Sequence, residues 1–221
     1  MKKKRMLVIP IILIAFLCVS EIFAYLTDME QTTNTFTLGD IKITLTEPNY
    51  DTEEAAKISP NKVIDKDPTI TNVGKNDAYI FAKVEMPYYS ATSVGQSAAA
   101  DTELFSLINF AGTAGTNTGW TQLSRTADME THKVTYLYAY TGAETSTMET
   151  VEKGEEVVLF NKARFANLKD YSELTSDSDD TIIETFDLKV EAYAIQKELA
   201  TDEGVQITNP ESVWAIIQNS Y

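Results

Sequence analysis

Few side chains in this 221-residue chain are of a kind and spacing that could do chemistry. The chain has one histidine, His132, close to Glu130 and at the head of an alternating segment. A zinc centre takes three or four convergent ligands. No His-Glu-x-x-His helix accompanies His132, so it reads as a surface histidine. A serine triad would have to use His132 itself, and no Gly-x-Ser-x-Gly elbow is present. No glycine-rich phosphate loop follows a strand. Asp177, Asp179 and Asp180 form an acidic cluster of the sort that suits calcium. It lacks the glycine and the terminal glutamate of an EF-hand loop, so it reads as a solvated loop. Tyr79, Tyr136, Tyr138, Tyr140 and Tyr193 form either an exposed aromatic surface or the packed faces of a sheet. The residues therefore indicate no catalytic group, no metal ligand and no cofactor, and the chain is not expected to be an enzyme.

The strongest signal lies at the start. Lys2, Lys3, Lys4 and Arg5 precede an apolar run over residues 6–19, 14 long and broken only by Pro10. Ser20 and Glu21 end the run, and Ala24 places a small residue before Tyr25. A basic head, a short apolar core and a small residue at the cut are the parts of a secretory signal peptide. A spanning helix needs about 20 apolar residues, so the run predicts cleavage between Ala24 and Tyr25 and no lasting membrane anchor. Cys18 is the only cysteine. Lipid attachment there would need a small residue in front of it, where Leu17 stands. The mature protein would then hold no disulfide and rely on its core.

Removal of residues 1–24 takes a net charge of +3 from a chain total of −15 and leaves −18. So acidic a surface argues against nucleic acid and anionic lipid as partners, because phosphate binding needs a basic patch. The remaining 197 residues suffice for one well-buried domain.

The elements that must position any site are predominantly strands. Residues 41–45 alternate, with Ile41, Ile43 and Leu45 on one face, and 47–49 stop the strand. Phe36 and Leu38 alternate on the other parity, so a bulge or turn is expected near Gly39. Residues 49–67 read as a loop. Residues 63–71 read as an edge or bulged strand interrupted at Pro68, and 72–77 as a turn. Ala78, Ile80, Ala82, Val84 and Met86 line one face of a strong strand that Pro87 is expected to end. Asp101 is expected to cap a short helix carrying Leu104, Phe105 and Ile108. Further strands are expected at 120–123, 133–140, 156–165 and, longest of all, 182–196, with Glu191 and Tyr193 facing out. Asn209, Pro210 and Glu211 form a helix start. Seven or eight strands, two short helices and long loops predict an all-β chain, a jelly-roll or Ig-like antiparallel β-sandwich. The domains expected are a signal peptide over 1–24, an N-terminal arm over 25–36 and a sandwich over 37–221.

Several segments resemble the TasA/camelysin family of secreted Gram-positive proteins, whose signal is removed by a SipW-type signal peptidase. They are Ala24-Tyr25-Leu26-Thr27-Asp28 with residues 34–43, then 66–74, 77–84 and 191–196. The stretch 90–123 does not take part. The resemblance implies a jelly-roll domain in a biofilm matrix, with subunits assembling into fibres. In such fibres the segment after the cleavage site completes the sheet of the neighbouring subunit by strand addition. Here that donor arm runs from Tyr25 to Phe36. Its apolar residues are Leu26, Met29 and Phe36, with polar residues between, so these three are the anchors expected to seat it. The partners implied are copies of the chain or related matrix subunits, and a signal peptidase during export. The alternatives are a camelysin-like metalloprotease, to which His132 lends no partner motif, and a monomeric minor subunit or fibre anchor.

Overall fold

The computed structural model of the chain describes residues 27–31, 41–55, 61–90, 104–106, 108–110, 115–167 and 187–219. The larger sheet runs in the order β1 (Thr27–Gln31), β12 (Lys189–Gln196), β5 (Ala78–Ser90), β9 (Lys133–Tyr140), β8 (Trp120–Asp128), and β6 (Leu104–Ser106) pairs with the end of β5. A second sheet runs β10 (Glu156–Val158), β4 (Thr69–Asn72), β2 (Ile43–Thr46), and a third β3 (Val63–Asp65), β11 (Lys162–Phe165), β7 (Ile108–Phe110). Every named pairing is antiparallel. The all-β sandwich read from the strand pattern is therefore what the chain forms. Among the described residues the α-helices are one turn, α1 (Thr52–Ala55), and the C-terminal α2 (Pro210–Gln218), with a 3-10 turn at Lys197–Leu199. Among the described residues no helix is long and apolar enough to cross a membrane.

The main core lies between the large sheet and the second sheet. Ile80, Ala82, Val84, Val190, Ala192 and Ala194 from one face meet Ile43, Leu45, Ile70 and Val157 from the other. These are the alternating positions that the sequence assigns to an inner face, and period-two alternation is what delivers them there. A second core sits on the opposite face of the large sheet. There α2 sets Val213 and Ile217 against Tyr79, Phe81, Tyr193 and Ile195. The second face of β5 and β12 is thus covered too over residues 79–81 and 193–195, which alternation alone does not reveal.

The helix that covers the second face begins as the sequence predicts. Asn209 is its cap, its side-chain oxygen accepting a hydrogen bond from the Ser212 N–H at 3.0 Å, and Pro210 takes the first turn, where its missing N–H is not needed. Trp214 wedges over the sheet with ring centroids 5.2 Å from both Phe81 and Tyr193.

Several expectations are corrected. Residues 104–110 do not form a helix: β6 and β7 occupy the described part, pairing with β5 and β11. Leu104, Phe105 and Ile108 have helical spacing, but open strand edges on two sheets draw the segment into extended backbone, and tertiary pairing overrides a weak local preference. Asp101 lies outside the described residues. Pro87 does not end its strand. The ladder between β5 and β9 stops at the Pro87–Lys133 pair, and β5 continues with β6 as partner, so Pro87 marks a change of neighbour. At 13 residues β5, not the 182–196 segment, is the longest described strand.

Residues 63–71 and 156–165 each split in two, and their halves enter different sheets. The crossing is at Pro68, whose carbonyl accepts the Leu159 N–H at 2.9 Å, with Phe160 fully buried beside it. Proline has no N–H for a ladder, so both chains change sheet where it stands. Beyond it β4 is the central strand of its sheet, not an edge. Splitting, together with a small hairpin of β13 (Thr201–Asp202) and β14 (Val205–Gln206), takes the strands among the described residues to fourteen, beyond the seven or eight expected. Within the 49–67 loop, α1 forms because Asp51 caps it through the Glu53 and Glu54 N–H groups.

Candidate functional site

The sequence marks two places, His132 and the N-terminal arm. His132 closes the β8–β9 hairpin in left-handed backbone at φ 51°. Asp128 builds that hairpin by accepting from the Glu130 N–H and the Thr131 hydroxyl, both at 2.8 Å. The His132 ring lies flat on Tyr89, with centroids 4.4 Å apart, and its carbonyl accepts the Tyr88 N–H at 2.9 Å. Lys133, Glu85, Asp187 and Lys189 share the adjoining open cleft. Among the described residues no group of three or more His, Cys, Asp or Glu side chains is placed to hold a metal. The cluster Asp177, Asp179 and Asp180 lies outside the described residues.

The tyrosines resolve in favour of packing. Tyr79, Tyr138 and Tyr193 are buried, and Tyr136 and Tyr140 are half-buried against the main core. Burial, and then the neighbouring Tyr136, push the Tyr138 hydroxyl far above its ordinary range.

The arm is an edge strand of the chain's own large sheet. β1 runs antiparallel to β12, with Thr27 opposite Ile195, Asp28 opposite Ala194, Met29 opposite Tyr193, Glu30 opposite Ala192 and Gln31 opposite Glu191. Of the residues singled out for cleavage or strand donation, Met29 lies in this strand; Ala24, Tyr25, Leu26 and Phe36 lie outside the described residues.

What the arm pairs with matters more than its own composition. β12 reads Lys-Val-Glu-Ala-Tyr-Ala-Ile-Gln, and its six central residues are all buried. Val190, Ala192 and Ala194 enter the main core, and Tyr193 and Ile195 enter the core beneath α2. Its far edge bonds β5 over eight residue pairs. A strand covered on both faces and one edge presents its remaining N–H and C=O groups as a template for another strand.

Glu191 was expected to face out. It does lie on the face opposite the main core, yet its side chain is only 7% exposed. It takes ion pairs from Lys83 at 3.3 Å and from Lys189, and the Tyr193 hydroxyl donates to it at 2.8 Å. Burial pushes the Glu191 carboxyl up. The hydrogen bonds from Lys189 and Tyr193 and the charges of Lys83 and Lys189 outweigh that push, and the carboxyl is held below the usual carboxylate range. Glu191 sits opposite Gln31, so a buried carboxylate with two partly exposed lysines underlies one end of the arm's binding edge. The signal was present in the sequence: Lys83 and Glu85 on one strand match Lys189 and Glu191 on another, with Lys189 opposite Glu85 and Glu191 opposite Lys83. Only the pairing of β5 with β12, unknown from sequence, brings them together.

The arrangement can bind an extended backbone, and the groups around it hold the receiving strand in place. No protein-family model matches the chain, and neither a curated protein nor a solved structure matches it significantly.

Proposed function

We propose that this chain is a secreted structural protein of a bacterial extracellular matrix, a jelly-roll subunit of the TasA/camelysin kind. It assembles by giving its N-terminal arm to the β12 edge of the next copy. The observation that carries this reading is the pairing of β1 with β12, whose two faces and other edge are already buried. The arm completes the sheet through main-chain hydrogen bonds, which do not depend on an apolar side-chain set. That answers the polar character of residues 27–31: the receiving strand supplies the buried surface and the arm supplies backbone. Cleavage after Ala24 would free the arm's leading end. An arm seated on its own β12 keeps a copy closed; an arm seated on a neighbour's β12 links two copies head to tail, and repetition gives an open fibre.

A cysteine pair tests this. Opposite residues of an antiparallel ladder have Cα atoms about 4.5–5.5 Å apart, within the reach of a disulfide. With Cys18→Ser, the variant Asp28→Cys/Ala194→Cys should give closed monomers when oxidised from dilute monomer. Oxidised after assembly, it should give a ladder of covalently linked copies. Electron microscopy should show fibres from protein beginning at Tyr25. Equal fibre formation by protein beginning at Gly39 would defeat the proposal. The seating of the arm on its own sheet also favours a second reading, a monomeric subunit or fibre anchor. Intrachain disulfides alone, with monomers under all conditions, would select it. Casein cleavage lost on chelation would select the protease reading instead.

A further inference from the structure

The arm occupies one end of the large sheet; β8 forms the other, and its outer edge carries no strand among the described residues. Its register to β9 shifts between Gln122 and Ser124 and is regular from Ser124 to Asp128. All five residues of that regular stretch are exposed. Its second residue is Arg125. Its guanidinium lies 5.2 Å over the Tyr88 ring and 5.8 Å over the Tyr136 ring, and Nε donates to the Tyr136 hydroxyl at 3.3 Å. Among the described residues no carboxylate pairs with it. Two tyrosines thus hold a planar, always-charged group over the sheet face beside that edge, with its rotamer freedom already spent. A guanidinium so fixed is suited to a carboxylate.

The chain itself is rich in that partner, at −15 overall. Glu152, Glu155 and Glu156 are exposed in the turn that leads into β10, with Lys153 and Gly154 between the first two. β10 is itself an edge strand, at the end of the second sheet. We propose that β8 is a second docking edge for another copy of this chain, whose edge strand β10 pairs along it and whose acidic entry turn sets a glutamate on Arg125. The contact joins two different surfaces and so repeats from copy to copy. It is separate from the arm's exchange on β12, and it would tie fibres side by side if both operate.

Sedimentation velocity at one fixed ionic strength tests it, on the arm-locked, oxidised Asp28→Cys/Ala194→Cys chain with Cys18→Ser. Locking removes arm exchange, so a failure of that mechanism leaves this measurement intact. The locked chain should still associate with rising concentration. Arg125→Glu should weaken association about tenfold or more, and Arg125→Lys, which keeps the charge without the fork, by less. Glu152→Lys/Glu155→Lys/Glu156→Lys mixed with Arg125→Glu should restore it, because the charges are exchanged. Benzoylphenylalanine at Thr126 should crosslink to residues 152–158 of a second copy. A locked chain that stays monomeric, an Arg125→Glu variant that associates like its parent, or a crosslink elsewhere would overturn the proposal. So would a locked monomer retained on polygalacturonate beads only while Arg125 is intact, which would make the partner an anionic polysaccharide.

Discussion

Glu191 shows how a single residue on the acceptor strand can be both an electrostatic liability and a fixed point. Its carboxylate is nearly out of water, while Lys83 and Lys189 are 38% and 44% exposed. The lysines can be solvated without it, but it cannot be ionised at low cost without them. Replacement of Glu191 by Gln should therefore destabilise the fold at pH 7 by about 1–3 kcal/mol, the scale for disrupting a buried charged hydrogen bond. The sign of its pH dependence follows from a depressed folded pKa. The ionised form contributes stability above the unfolded carboxylate value of about 4.3, and the contribution fades as pH falls through the lower folded value. Urea unfolding of parent and Glu191→Gln should give curves that differ at pH 7 and converge as pH drops below about 4. A gap that stays constant with pH would show that Glu191 acts through shape, not charge. The individual residues of this cluster were legible as alternating charges, but their burial was not. Period-two alternation says which residues share a face; it does not say that α2 and a neighbouring ladder cover the second face as well.

At the level of elements, the C-terminal helix backs β12 through Tyr193 and Ile195. Trp214 meets Tyr193 edge-on at 88°, and Tyr193 holds Glu191 through its hydroxyl and sits opposite Met29 of the arm. Truncation of a well-packed aromatic costs about 3–5 kcal/mol; for half-buried Trp214 the Trp214→Ala change should cost about 2–4 kcal/mol. Because the lost contact backs the receiving strand, Trp214→Ala should also raise the rate at which the arm leaves β12. That rate can be read by trapping a 28/194 cysteine pair with a fast alkylating reagent. Trp214→Phe should restore most of both effects. A loss of stability with unchanged trapping, or the reverse, would uncouple the helix from the arm. The helix itself was readable to the residue, since Asn209, Pro210 and Glu211 satisfy local rules that need no partner. The strands at 104–110 were not readable, because what extends them is the vacancy beside β5 and β11, created by residues far away in sequence. Pro68 and Pro87 fall between these cases. Pro68 was read as an interruption and Pro87 as a strand end, whereas the chain uses one to change sheets and the other to change neighbours.

At the scale of the whole molecule, two edges of one sheet and a large negative charge pull in opposite directions. Strand addition at β12 uses short-range hydrogen bonds, whereas copies carrying −15 or more repel one another over distances comparable with the Debye length, about 10 Å at 0.1 M salt. Charge of this size drives closed copies apart, and in the proposed assembly it would slow the encounter that precedes arm exchange. Added salt should therefore raise the elongation rate of seeded fibres several-fold between about 0.02 and 0.15 M, with little change in fibre stability once formed. Light scattering after seeding gives the first quantity and resistance to dilution gives the second. The effect should survive Arg125→Glu, because repulsion is a property of the total charge and not of one contact. Elongation that slows with salt would mean that attraction between local charges governs the encounter, and would move the β8 edge from a lateral contact to the first step of assembly. The net charge was plain in the composition. The cis-seated arm was not, because a strand as polar as residues 27–31 declares itself only beside the apolar strand it completes.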